Sequence, residues 1–564
     1  MSKRIVVIGG SAAGPKAAAK ARRMDEHAHI TIIQKGKALS MASCGYPYYV
    51  GGVFDDRNQL LCTPTGAVRN PGFYLNAKNI EARIQTEAVS IDRAAKTVHV
   101  RNLISKDEEK VPYDTLILAT GAAPFVPPIP GVDLEGITTL QSMEDADFLR
   151  KIRDDKSAKR ALVVGGGLIG IETCEALELA GIEITLVEKM PQLLPFLDWE
   201  IAKAVEKHVS TKNVRVVLNN GVVRFEGKDG KLAAAVLEDG TAVQCDTAVV
   251  AVGVRPNTKL AEEAGLSIGT AGGIEVNAYM QTSDPSIYAA GDCVEIPHRL
   301  TGKSVHAPFG DLANLEGRVA GRNAVEGNVA KFKGTVLTGI CKIFDYTAGA
   351  TGLSEKSARQ NGLTDIETIV VAGLDKPGFM SGKPLITKMA VEKKTGLILG
   401  AQCVGLGDVS KQVAQWALAV QGKMTVKDLL DADLPYAPPF SLAVDHMLAA
   451  VHCMENKLDG RLKSLSAETL KNKLDVGDPL FLLDARGPDE FEMMRLGIGE
   501  TLIPLGALRK RISELPEDKN TEIVCYCKIS LRGYEAALIL EGHGYTNVKV
   551  LEGGILAWPY AREK

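Results

Sequence analysis

Short apolar runs that end in glycine recur along the chain and predict buried parallel strands. Residues 5–8 lead into a glycine-rich turn and then into a helix-favouring stretch over 15–23. The same order recurs where residues 161–164 precede a second glycine turn and a predicted helix over 171–180. Brief apolar runs followed by a glycine turn and a helix are typical of α/β units. The pattern therefore predicts two separate α/β domains of the doubly wound kind.

The first glycine turn resembles a dinucleotide-binding fingerprint with one departure. Gly9 and Gly14 hold the outer glycine positions of G-x-G-x-x-G, whereas Ser11 holds the middle one. Glycine lets the backbone approach a pyrophosphate at the helix N-terminus. Gln34, followed by Lys35, ends the second strand where an acid would normally accept hydrogen bonds from a ribose hydroxyl. We expect Gln34 to accept such a bond without a charge.

The second glycine turn carries the complete fingerprint. Gly165, Gly167 and Gly170 occupy its three glycine positions, and Glu188 ends the following strand. A carboxylate at this distance bonds both ribose hydroxyls and repels a 2′-phosphate. The sequence therefore predicts NADH rather than NADPH at this site, with some tolerance from the neighbouring Lys189.

Two further strand-to-glycine junctions occur elsewhere in the chain, at Thr120-Gly121 and at Gly291-Asp292. Together with the first fingerprint, they resemble the flavoprotein pyridine-nucleotide-disulfide oxidoreductases. The resemblance implies that these residues bind FAD and that Asp292 bonds the flavin ribitol. Another such junction, at Gly253, returns the chain from the inserted domain to the flavin domain and is a further candidate for cofactor binding. Two dinucleotide sites in one chain imply hydride transfer from NADH to the flavin.

A single cysteine, Cys44, lies in the string Ser-Met-Ala-Ser-Cys-Gly-Tyr-Pro-Tyr. This string resembles the single-cysteine branch of the family, which includes coenzyme A-disulfide reductases, NADH oxidases and persulfide reductases. With no second cysteine close by, Cys44 would cycle through a mixed disulfide, a sulfenate or a persulfide. The resemblance also places Glu172 near the nicotinamide. The alternatives are a packing cysteine at 44 and a solvated helix-face acid at 172.

Coenzyme A is the third ligand that the resemblance implies. In the members that bind it, side chains on the first helix and before the cysteine hold the nucleotide and the pantetheine arm. The matching positions here are Lys16, Lys20, Arg23, Ser40 and Ser43. Ser43 stands where these members commonly carry asparagine. The alternative for the lysines and Arg23 is a solvated basic helix face.

Residues 326–450 resemble the dimerisation domain of this family, which implies a homodimer whose active sites share residues between subunits. Tyr436 matches a tyrosine that would donate a proton to a leaving thiolate at the partner's Cys44. A packed aromatic beside a proline turn is the alternative for this tyrosine. Phe379 stands where coenzyme A-disulfide reductases carry a second tyrosine, which argues against plain coenzyme A-disulfide reduction.

The C-terminal hundred residues resemble a rhodanese sulfurtransferase domain. Cys527 follows a predicted strand, and six loop positions run from it through Arg532, with a helix expected beyond. Backbone N–H groups around such a loop, the helix dipole and Arg532 favour thiolate and persulfide anions. Residues 495–499 lack the His-Ile-Pro-Gly-Ala segment common in these domains. Cys525, on the strand itself, is expected to be a packing residue.

Composition and charge bear on the possible partners of the chain and on its cellular compartment. The 564 residues carry a formal net charge of -3 and ten cysteines without a C-x-x-C pair. The near-neutral charge gives no footprint for nucleic acid, and no run of about 18 apolar residues marks a membrane span. We also predict no metal site. The first strand starts too early to leave room for a signal peptide, so we expect a cytoplasmic protein with free thiols.

The sequence thus predicts an α/β chain with two dinucleotide-binding, Rossmann-like domains, an α+β dimerisation domain and a C-terminal rhodanese α/β domain. The predicted ranges are 1–148 with 250–325 for FAD, 149–249 for NAD(H), 326–450 for dimerisation, 451–462 for a linker and 463–564 for the rhodanese domain. The predicted activity is NADH-dependent reduction of coenzyme A persulfide or polysulfide at Cys44, with Cys527 relaying sulfur. The alternative is a coenzyme A-disulfide reductase or NADH oxidase with a regulatory or sulfur-sensing rhodanese domain.

Overall fold

The apolar runs predicted as strands form sheets in the computed structural model, which describes residues 2–564. The chain divides into two units, each described by itself below. The first runs up to Lys189 and resumes over Asn220–Thr335, and the second comprises Met190–Asn219 and Val336–Lys564.

The strands and helices follow one another in five stretches of sequence. The first contains β1 (Arg4–Ile8), α1 (Ala13–Met24), β2 (His29–Ile33), α2 (Tyr46–Val50), α3 (Pro71–Lys78), β3 (Glu81–Arg83), β4 (Thr86–Asp92), β5 (Thr97–Asn102), β6 (Glu108–Pro112), β7 (Thr115–Leu118), β8 (Ala122–Pro124) and β9 (Ile137–Thr138). The second contains α4 (Met143–Asp155), β10 (Arg160–Val164), α5 (Leu168–Glu178), β11 (Glu183–Val187), α6 (Trp199–Val209), β12 (Val214–Val217), β13 (Val222–Lys228), β14 (Lys231–Leu237), β15 (Ala242–Gln244), β16 (Thr247–Val250) and β17 (Val254–Pro256). The third contains α7 (Lys259–Glu263), β18 (Ile274–Glu275), β19 (Ile287–Ala289), β20 (Val294–Pro297), β21 (Ser304–His306) and α8 (Gly310–Glu326).

The remaining two stretches belong to the second unit. The fourth contains β22 (Gly339–Ile343), β23 (Tyr346–Gly352), α9 (Glu355–Gln360), β24 (Ile366–Leu374), β25 (Pro384–Glu392), β26 (Ile398–Gly405), α10 (Val409–Gly422), α11 (Val426–Leu429) and α12 (His446–Leu458). The fifth contains β27 (Ser464–Leu465), α13 (Ala467–Asp475), β28 (Leu480–Asp484), α14 (Pro488–Met493), β29 (Thr501–Leu502), α15 (Leu505–Leu508), β30 (Glu522–Tyr526), α16 (Leu531–Gly542), β31 (Val548–Leu551) and α17 (Gly554–Ala557).

Two parallel sheets organise the first unit. One has the strand order β19-β7-β1-β2-β3, and the other includes the run β11-β10-β16-β9. In the first sheet Ile8 at the end of β1 is in register with Leu118 of β7, and Leu118 is in register with Ala289 of β19. Because parallel strands end at one edge, the turns that follow these three strands lie at the same side of the sheet. The predicted α/β class is confirmed here.

Both fingerprint helices begin earlier than predicted. α1 begins at Ala13 rather than Pro15, and α5 begins at Leu168 rather than Ile171. The last glycine of each fingerprint is therefore in the first turn of its helix. A Cβ at Gly14 would lie 1.9 Å from the Gly9 carbonyl oxygen, so only glycine lets the helix start this close to the strand.

The second unit combines an antiparallel and a parallel sheet. The antiparallel sheet has the order β22-β23-β26-β25-β24, with α10 and α12 packed against it. The C-terminal sheet has the order β27-β31-β30-β28-β29, and all its pairings are parallel. α12 runs on to Leu458, so most of the segment predicted as a linker over 451–462 is helical.

Helices α1 and α8 pack backbone to backbone in the first unit. A Cβ at Gly317 would lie 2.4 Å from the carbonyl oxygen of Ala13, and one at Gly321 would lie 2.2 Å from that of Ala17. Such distances leave no room for a side chain, because real Cβ contacts are far longer. Two glycines four residues apart therefore set the separation of the two helices.

We expect Gly321→Ala to lower the stability of the first unit. The added methyl would force α1 and α8 apart, at a cost of about 1–3 kcal/mol. The checks are the melting temperature and hydrogen exchange of the α1 amides. Gly542→Ala is the matched control, because this exposed helical glycine has no atom within 4 Å of its Cβ position. Equal melting temperatures for the two variants would contradict the role of this contact.

Candidate functional site

Cys44 lies in a short 3₁₀ turn, Ser43–Gly45, directly before α2. Its side chain is exposed. A Cβ placed on Gly310, the first residue of α8, would lie 3.8 Å from the Cys44 sulfur. The thiol therefore lies beside the start of α8 and is open to a reagent.

The segment after Cys44 is clamped by α4. The Arg150 guanidinium donates to the carbonyl oxygens of Tyr49 at 2.8 Å and Phe54 at 3.1 Å, and to the Asp55 carboxylate at 2.6 Å. The Tyr49 hydroxyl donates to Asp147 of α4 at 3.2 Å. These bonds hold α2 and the loop after it against α4 through both main-chain and side-chain groups. The Ser43–Gly45 turn, which leads directly into α2, is therefore fixed at its C-terminal end.

Acidic side chains surround the Cys44 thiol. Partial loss of water around the sulfur, followed by the charges of Glu172, Asp292 and Asp311, raises the pKa of Cys44 above its ordinary value. The Tyr48 hydroxyl donates to Glu172 at 3.3 Å. The fold thus brings the residues predicted near the nicotinamide and near the flavin ribitol within electrostatic range of one thiol.

Glu316 of α8 holds the Gly291-Asp292 turn and was not predicted from the sequence. Its carboxylate accepts a hydrogen bond from the Gly291 N–H at 2.7 Å and is 2% exposed. Burial raises the pKa of Glu316 to about 8, and burial also raises the pKa of Asp292. The turn is therefore fixed by a carboxyl group inside the protein rather than by solvent.

The two nucleotide turns are stabilised in the same way. The Gly10 N–H donates to Oε1 of Gln34 at 2.9 Å, and the Gly166 N–H donates to Oε2 of Glu188 at 2.6 Å. Gln34 also donates to the carbonyl oxygen of Ala38 at 3.1 Å. In each turn, the side chain at the end of the second strand fixes the glycine loop. For Gln34 this contact is additional to the predicted bond to a ribose.

The open space at the turns fits a dinucleotide at each. A Cβ at Gly121, Gly167 or Gly253 would meet no protein atom within 4 Å. A Cβ at Gly170, in contrast, would lie 1.9 Å from the Gly165 carbonyl oxygen, as one at Gly14 would from that of Gly9. The turns are thus closed towards their helices and open where a pyrophosphate would lie. The residues present fit FAD at the first turn and NADH at the second.

A basic cluster joins α1 to α8. Burial, followed by the positive charges of Arg318, Arg322 and Arg23, lowers the pKa of Lys20. Arg322 also pairs with Glu326 at 2.6 Å. The predicted Lys20 and Arg23 therefore lie beside two arginines that sequence reasoning missed. Mutual repulsion of this kind is relieved by an anion such as a phosphate.

A sequence signal for the two missed arginines exists. Each arginine directly follows one of the glycines, Gly317 and Gly321, that bring α8 against α1. A pair of glycines four apart in a helix marks a close helix contact. Residues that directly follow these glycines in α8 are therefore expected to lie beside α1.

The remaining residues predicted to contact coenzyme A lie in different settings. Lys16 is half-buried in α1, and Ser43 is exposed beside Cys44. The Ser40 and Tyr74 hydroxyl oxygens are 2.5 Å apart, and Tyr74 is a buried residue that the sequence did not single out. Burial raises the pKa of Tyr74, so this phenol stays protonated.

In the second unit, Cys527 follows β30 and is buried. α16 begins at Leu531, so the predicted six-residue loop ends inside the first helical turn rather than before the helix. The physical reason is that first-turn N–H groups have no partner within the helix and can point into the loop. Ser530, with φ of 75°, makes the sharp bend before the helix.

Arg532 forms a bidentate ion pair with Glu490. Its guanidinium donates to both oxygens of Glu490, at 2.7 and 2.8 Å. These hydrogen bonds lower the pKa of Glu490 to about 2. The hydrogen bond to Glu490, opposed by burial and helped by the charge of Cys527 and a hydrogen bond with it, raises the pKa of Arg532. Glu490 therefore offsets part of the arginine charge, while Arg532 still acts on the Cys527 sulfur. Cys525 is fully buried on β30, as predicted.

Tyr436 and Phe379 lie on the surface of the second unit, with exposed fractions of 55% and 80%. The role expected for Tyr436 involves a partner subunit and stays a prediction. No helix within residues 2–564 combines the length and the apolar character that crossing a membrane requires.

Three protein-family models match the chain. The model described as pyridine nucleotide-disulphide oxidoreductase matches residues 3–307, and the dimerisation-domain model of the same name matches residues 338–448. A rhodanese-like domain model matches residues 466–560. The three matches follow the order predicted from the motifs.

Individual proteins are similar over most of the chain. The structure of a NAD-dependent persulfide reductase from A. fulgidus is 41% identical, has a TM-score of 0.93, and the match covers 98% of this chain and 100% of that one. A NADH oxidase from Methanocaldococcus jannaschii is 33% identical over 81% of this chain and 100% of its own length. A CoA-dependent NAD(P)H sulfur oxidoreductase from Pyrococcus abyssi is 32% identical over 81% of this chain and 99% of its own length.

We expect Glu172→Gln to lower the pKa of Cys44. A nearby carboxylate disfavours the thiolate, so removing its charge favours ionisation. The midpoint of the pH profile of Cys44 alkylation by iodoacetamide should move to lower pH, read by mass spectrometry of the Cys44 peptide. Glu183→Gln, at an exposed position at the start of β11, is the control. An unchanged midpoint in Glu172→Gln would rule out this electrostatic effect.

Proposed function

Because the chain belongs to the pyridine nucleotide-disulphide oxidoreductase family, we propose that it is an FAD enzyme that uses NADH to reduce persulfide sulfur carried on coenzyme A. The main support for this proposal is that the exposed Cys44 thiol lies among the residues that fit a flavin and a nicotinamide. A rhodanese-like domain in the same chain supports sulfane sulfur as the substrate. The A. fulgidus persulfide reductase resembles the chain over both parts.

In the reaction, the Cys44 thiolate attacks the inner sulfur of the persulfide, which is the sulfur atom of coenzyme A itself. A bond forms between that sulfur and Sγ of Cys44, the S–S bond of the persulfide breaks, and hydrosulfide leaves with the bonding electrons. Bound FAD supplies the two-electron carrier. Two electrons from NADH then cleave the Cys44 mixed disulfide, so one persulfide, one NADH and one proton give coenzyme A, hydrogen sulfide and NAD⁺.

Cys527 would load the carrier. Its thiolate takes the outer sulfur from a persulfide donor, the donor leaves as a thiolate, and the coenzyme A thiolate then attacks the Cys527 persulfide. Both steps transfer sulfur without net oxidation or reduction. The N–H groups at the start of α16 stabilise the sulfur anion in this loop.

The basic cluster of the first unit would bind coenzyme A. Lys20, Arg23, Arg318 and Arg322 together suit the phosphates of its nucleotide end, because guanidinium and ammonium groups bind phosphate through charge-assisted hydrogen bonds. Ser40 and Ser43, together with Lys16, would guide the pantetheine arm towards Cys44. The CoA-dependent oxidoreductase of Pyrococcus abyssi supports this choice of carrier.

The proposal also covers the oligomeric state, the cellular compartment and the choice between NADH and NADPH. The chain would form a homodimer, supported by the dimerisation-domain match, in which Tyr436 donates a proton at the Cys44 site of the other subunit. All ten cysteines are free, which fits the reducing cytoplasm and small sulfur substrates. Glu188 favours NADH over NADPH.

A second candidate is a coenzyme A-disulfide reductase or NADH oxidase in which the rhodanese-like domain senses sulfur. Similarity to the NADH oxidase of M. jannaschii over 81% of the chain supports this candidate. Phe379, in place of a tyrosine, disfavours coenzyme A disulfide. The complete loop from Cys527 to Arg532 disfavours a purely structural role for the C-terminal domain.

We expect Cys44→Ser to abolish NADH consumption with coenzyme A persulfide, with a loss of at least ~1,000-fold, since serine cannot form the mixed disulfide. Cys527→Ser should keep turnover of coenzyme A persulfide and lose turnover of sulfane donors that must first load coenzyme A. The measurement is anaerobic NADH oxidation with sulfide release. Cys525→Ser is the matched control for Cys527.

Two outcomes would contradict this proposal. If coenzyme A disulfide or oxygen is the far better acceptor, the second candidate is correct. If Cys527→Ser leaves the turnover of sulfane donors unchanged, Cys527 does not relay sulfur.

We expect Arg318→Ala and Arg322→Ala each to raise KM for coenzyme A persulfide by roughly 5-fold and to leave kcat nearly unchanged. Each arginine would contribute one partly exposed phosphate contact, worth about 1 kcal/mol. Steady-state kinetics at two salt concentrations check this, because a phosphate contact weakens with salt. Arg299→Ala, in the loop after β20, is the control. A KM that does not change in either arginine variant would exclude the cluster as the phosphate site.

A further inference from the structure

A buried carboxylate, that of Glu552, joins three parts of the second unit. It accepts hydrogen bonds from the Val370 N–H of β24 at 2.9 Å, from Nζ of Lys457 of α12 at 2.7 Å and from the Ser464 hydroxyl of β27 at 2.7 Å. Glu552 itself follows β31 in the rhodanese-like domain and is 7% exposed. One side chain therefore links that domain to the antiparallel sheet and to the connecting helix.

Lys457 completes this link from the opposite side. Its ammonium also donates to the Thr368 carbonyl oxygen at 2.6 Å and lies 3.1 Å from Oε1 of Glu367. Burial works against the charge, but the Glu552 and Glu367 carboxylates raise the pKa of Lys457 above its ordinary value. The ammonium is thus held charged between the edge strand β24 and the rhodanese-like domain.

The segment that carries Glu552 also supports the Cys527 loop. The Ile555 N–H donates to the Cys527 carbonyl oxygen and the Leu556 N–H to that of Lys528, both at 3.0 Å. The Ser530 hydroxyl donates to the Leu551 carbonyl oxygen. A Cβ at Gly554 would lie 2.3 Å from the Cys527 carbonyl oxygen. A displacement of this segment would therefore displace the backbone on both sides of the thiol.

The C-terminal end provides a second, separate contact within the same unit. The rings of Trp199 of α6 and Tyr560 have centroids 5.7 Å apart, and Lys207 donates to the Tyr560 carbonyl oxygen at 3.1 Å. With Glu552 at one place and Tyr560 at another, the rhodanese-like domain is attached at two points. A domain held at two points does not swing about its linker.

We propose that Glu552 is a positioning residue for Cys527. It couples the attachment of the rhodanese-like domain on β24 and α12 to the shape of the sulfur-accepting loop. Cys527 then works from a fixed place on the dimerisation sheet, and its sulfur leaves on a small carrier rather than by domain motion. The carrier step rests on the proposed function, whereas the coupling between Glu552 and the loop does not.

The test compares Glu552→Gln and Lys457→Met with the unmodified holoenzyme. Sulfur transfer from thiosulfate to cyanide, which needs the Cys527 loop alone, should lose about 10-fold in kcat with little change in KM, because misplaced reacting groups are costly. NADH oxidation with coenzyme A persulfide, which does not need Cys527, should stay within twofold. Hydrogen exchange should become faster over 366–374 and also over 527–533.

The control is Glu541→Gln, which removes a surface ion pair with Lys463 and should leave every readout unchanged. Glu552→Asp should recover part of the lost sulfur transfer. Lys457→Met keeps Glu552 in place, so the coupling can still be judged if Glu552→Gln folds poorly.

Faster exchange at β24 with unchanged exchange and unchanged sulfur transfer at the Cys527 loop would overturn the coupling, because Glu552 would then only attach the domain. A loss of thiosulfate transfer in Glu541→Gln equal to that in Glu552→Gln would also overturn it. If coenzyme A persulfide is not a substrate of the unmodified enzyme, the proposed function fails, yet the thiosulfate assay still decides the role of Glu552.

Discussion

The close contact between α1 and α8 is the constraint on which the candidate site around Cys44 depends. Gly317 and Gly321 let the two helices meet at backbone distance. With α1 fixed to the nucleotide turn after β1, α8 carries Glu316 to the Gly291 N–H and its first residue, Gly310, to Cys44. The same contact brings the α8 arginines beside Lys20. A single packing distance therefore sets the positions of the Cys44 thiol, the Gly291 turn and the basic cluster together.

The second unit is held by buried charges instead. Lys388 is 4% exposed and lies within 4 Å of Asp198, Glu200 and Glu355, which fixes the segment around α6 to β25 and α9. Lys457 and Glu552 do the same for the rhodanese-like domain. Burying charges costs free energy that only full pairing offsets. Such groups therefore add little to the net stability of the fold, but an arrangement that leaves one of them unpaired is strongly disfavoured. Buried pairing of this kind would keep the Cys527 loop in one position while it accepts sulfur.

The fold was predictable because strand, glycine turn and helix are local signals. The residues added by the structure come from contacts distant in sequence. Arg318 and Arg322 reach Lys20 only through helix packing. Glu490 meets Arg532 across 42 positions, so no motif around the cysteine reveals that part of the arginine charge is offset by an acid. Gln34 was predicted as a ribose ligand from its place at a strand end, and its bond to Gly10 shows that the place also serves the turn. The local pattern singled out Cys44 and Cys527 as candidate reacting cysteines, whereas packing determines which charged groups lie around them.

The environment of Cys44 also explains why the chain needs an external thiol. All ten cysteines are free, and the nearest in sequence, Cys62, donates to the Asn58 carbonyl oxygen rather than to another sulfur. A two-electron sulfur couple requires two sulfur atoms, so the second must arrive with the substrate. Partial desolvation and, after it, the neighbouring acids raise the pKa of Cys44, and a thiolate of higher pKa is the stronger nucleophile once formed. A carrier anchored by its phosphates at Lys20 and the α8 arginines would bring that second sulfur to the same thiol repeatedly, which makes coenzyme A part of the catalytic apparatus rather than only a substrate.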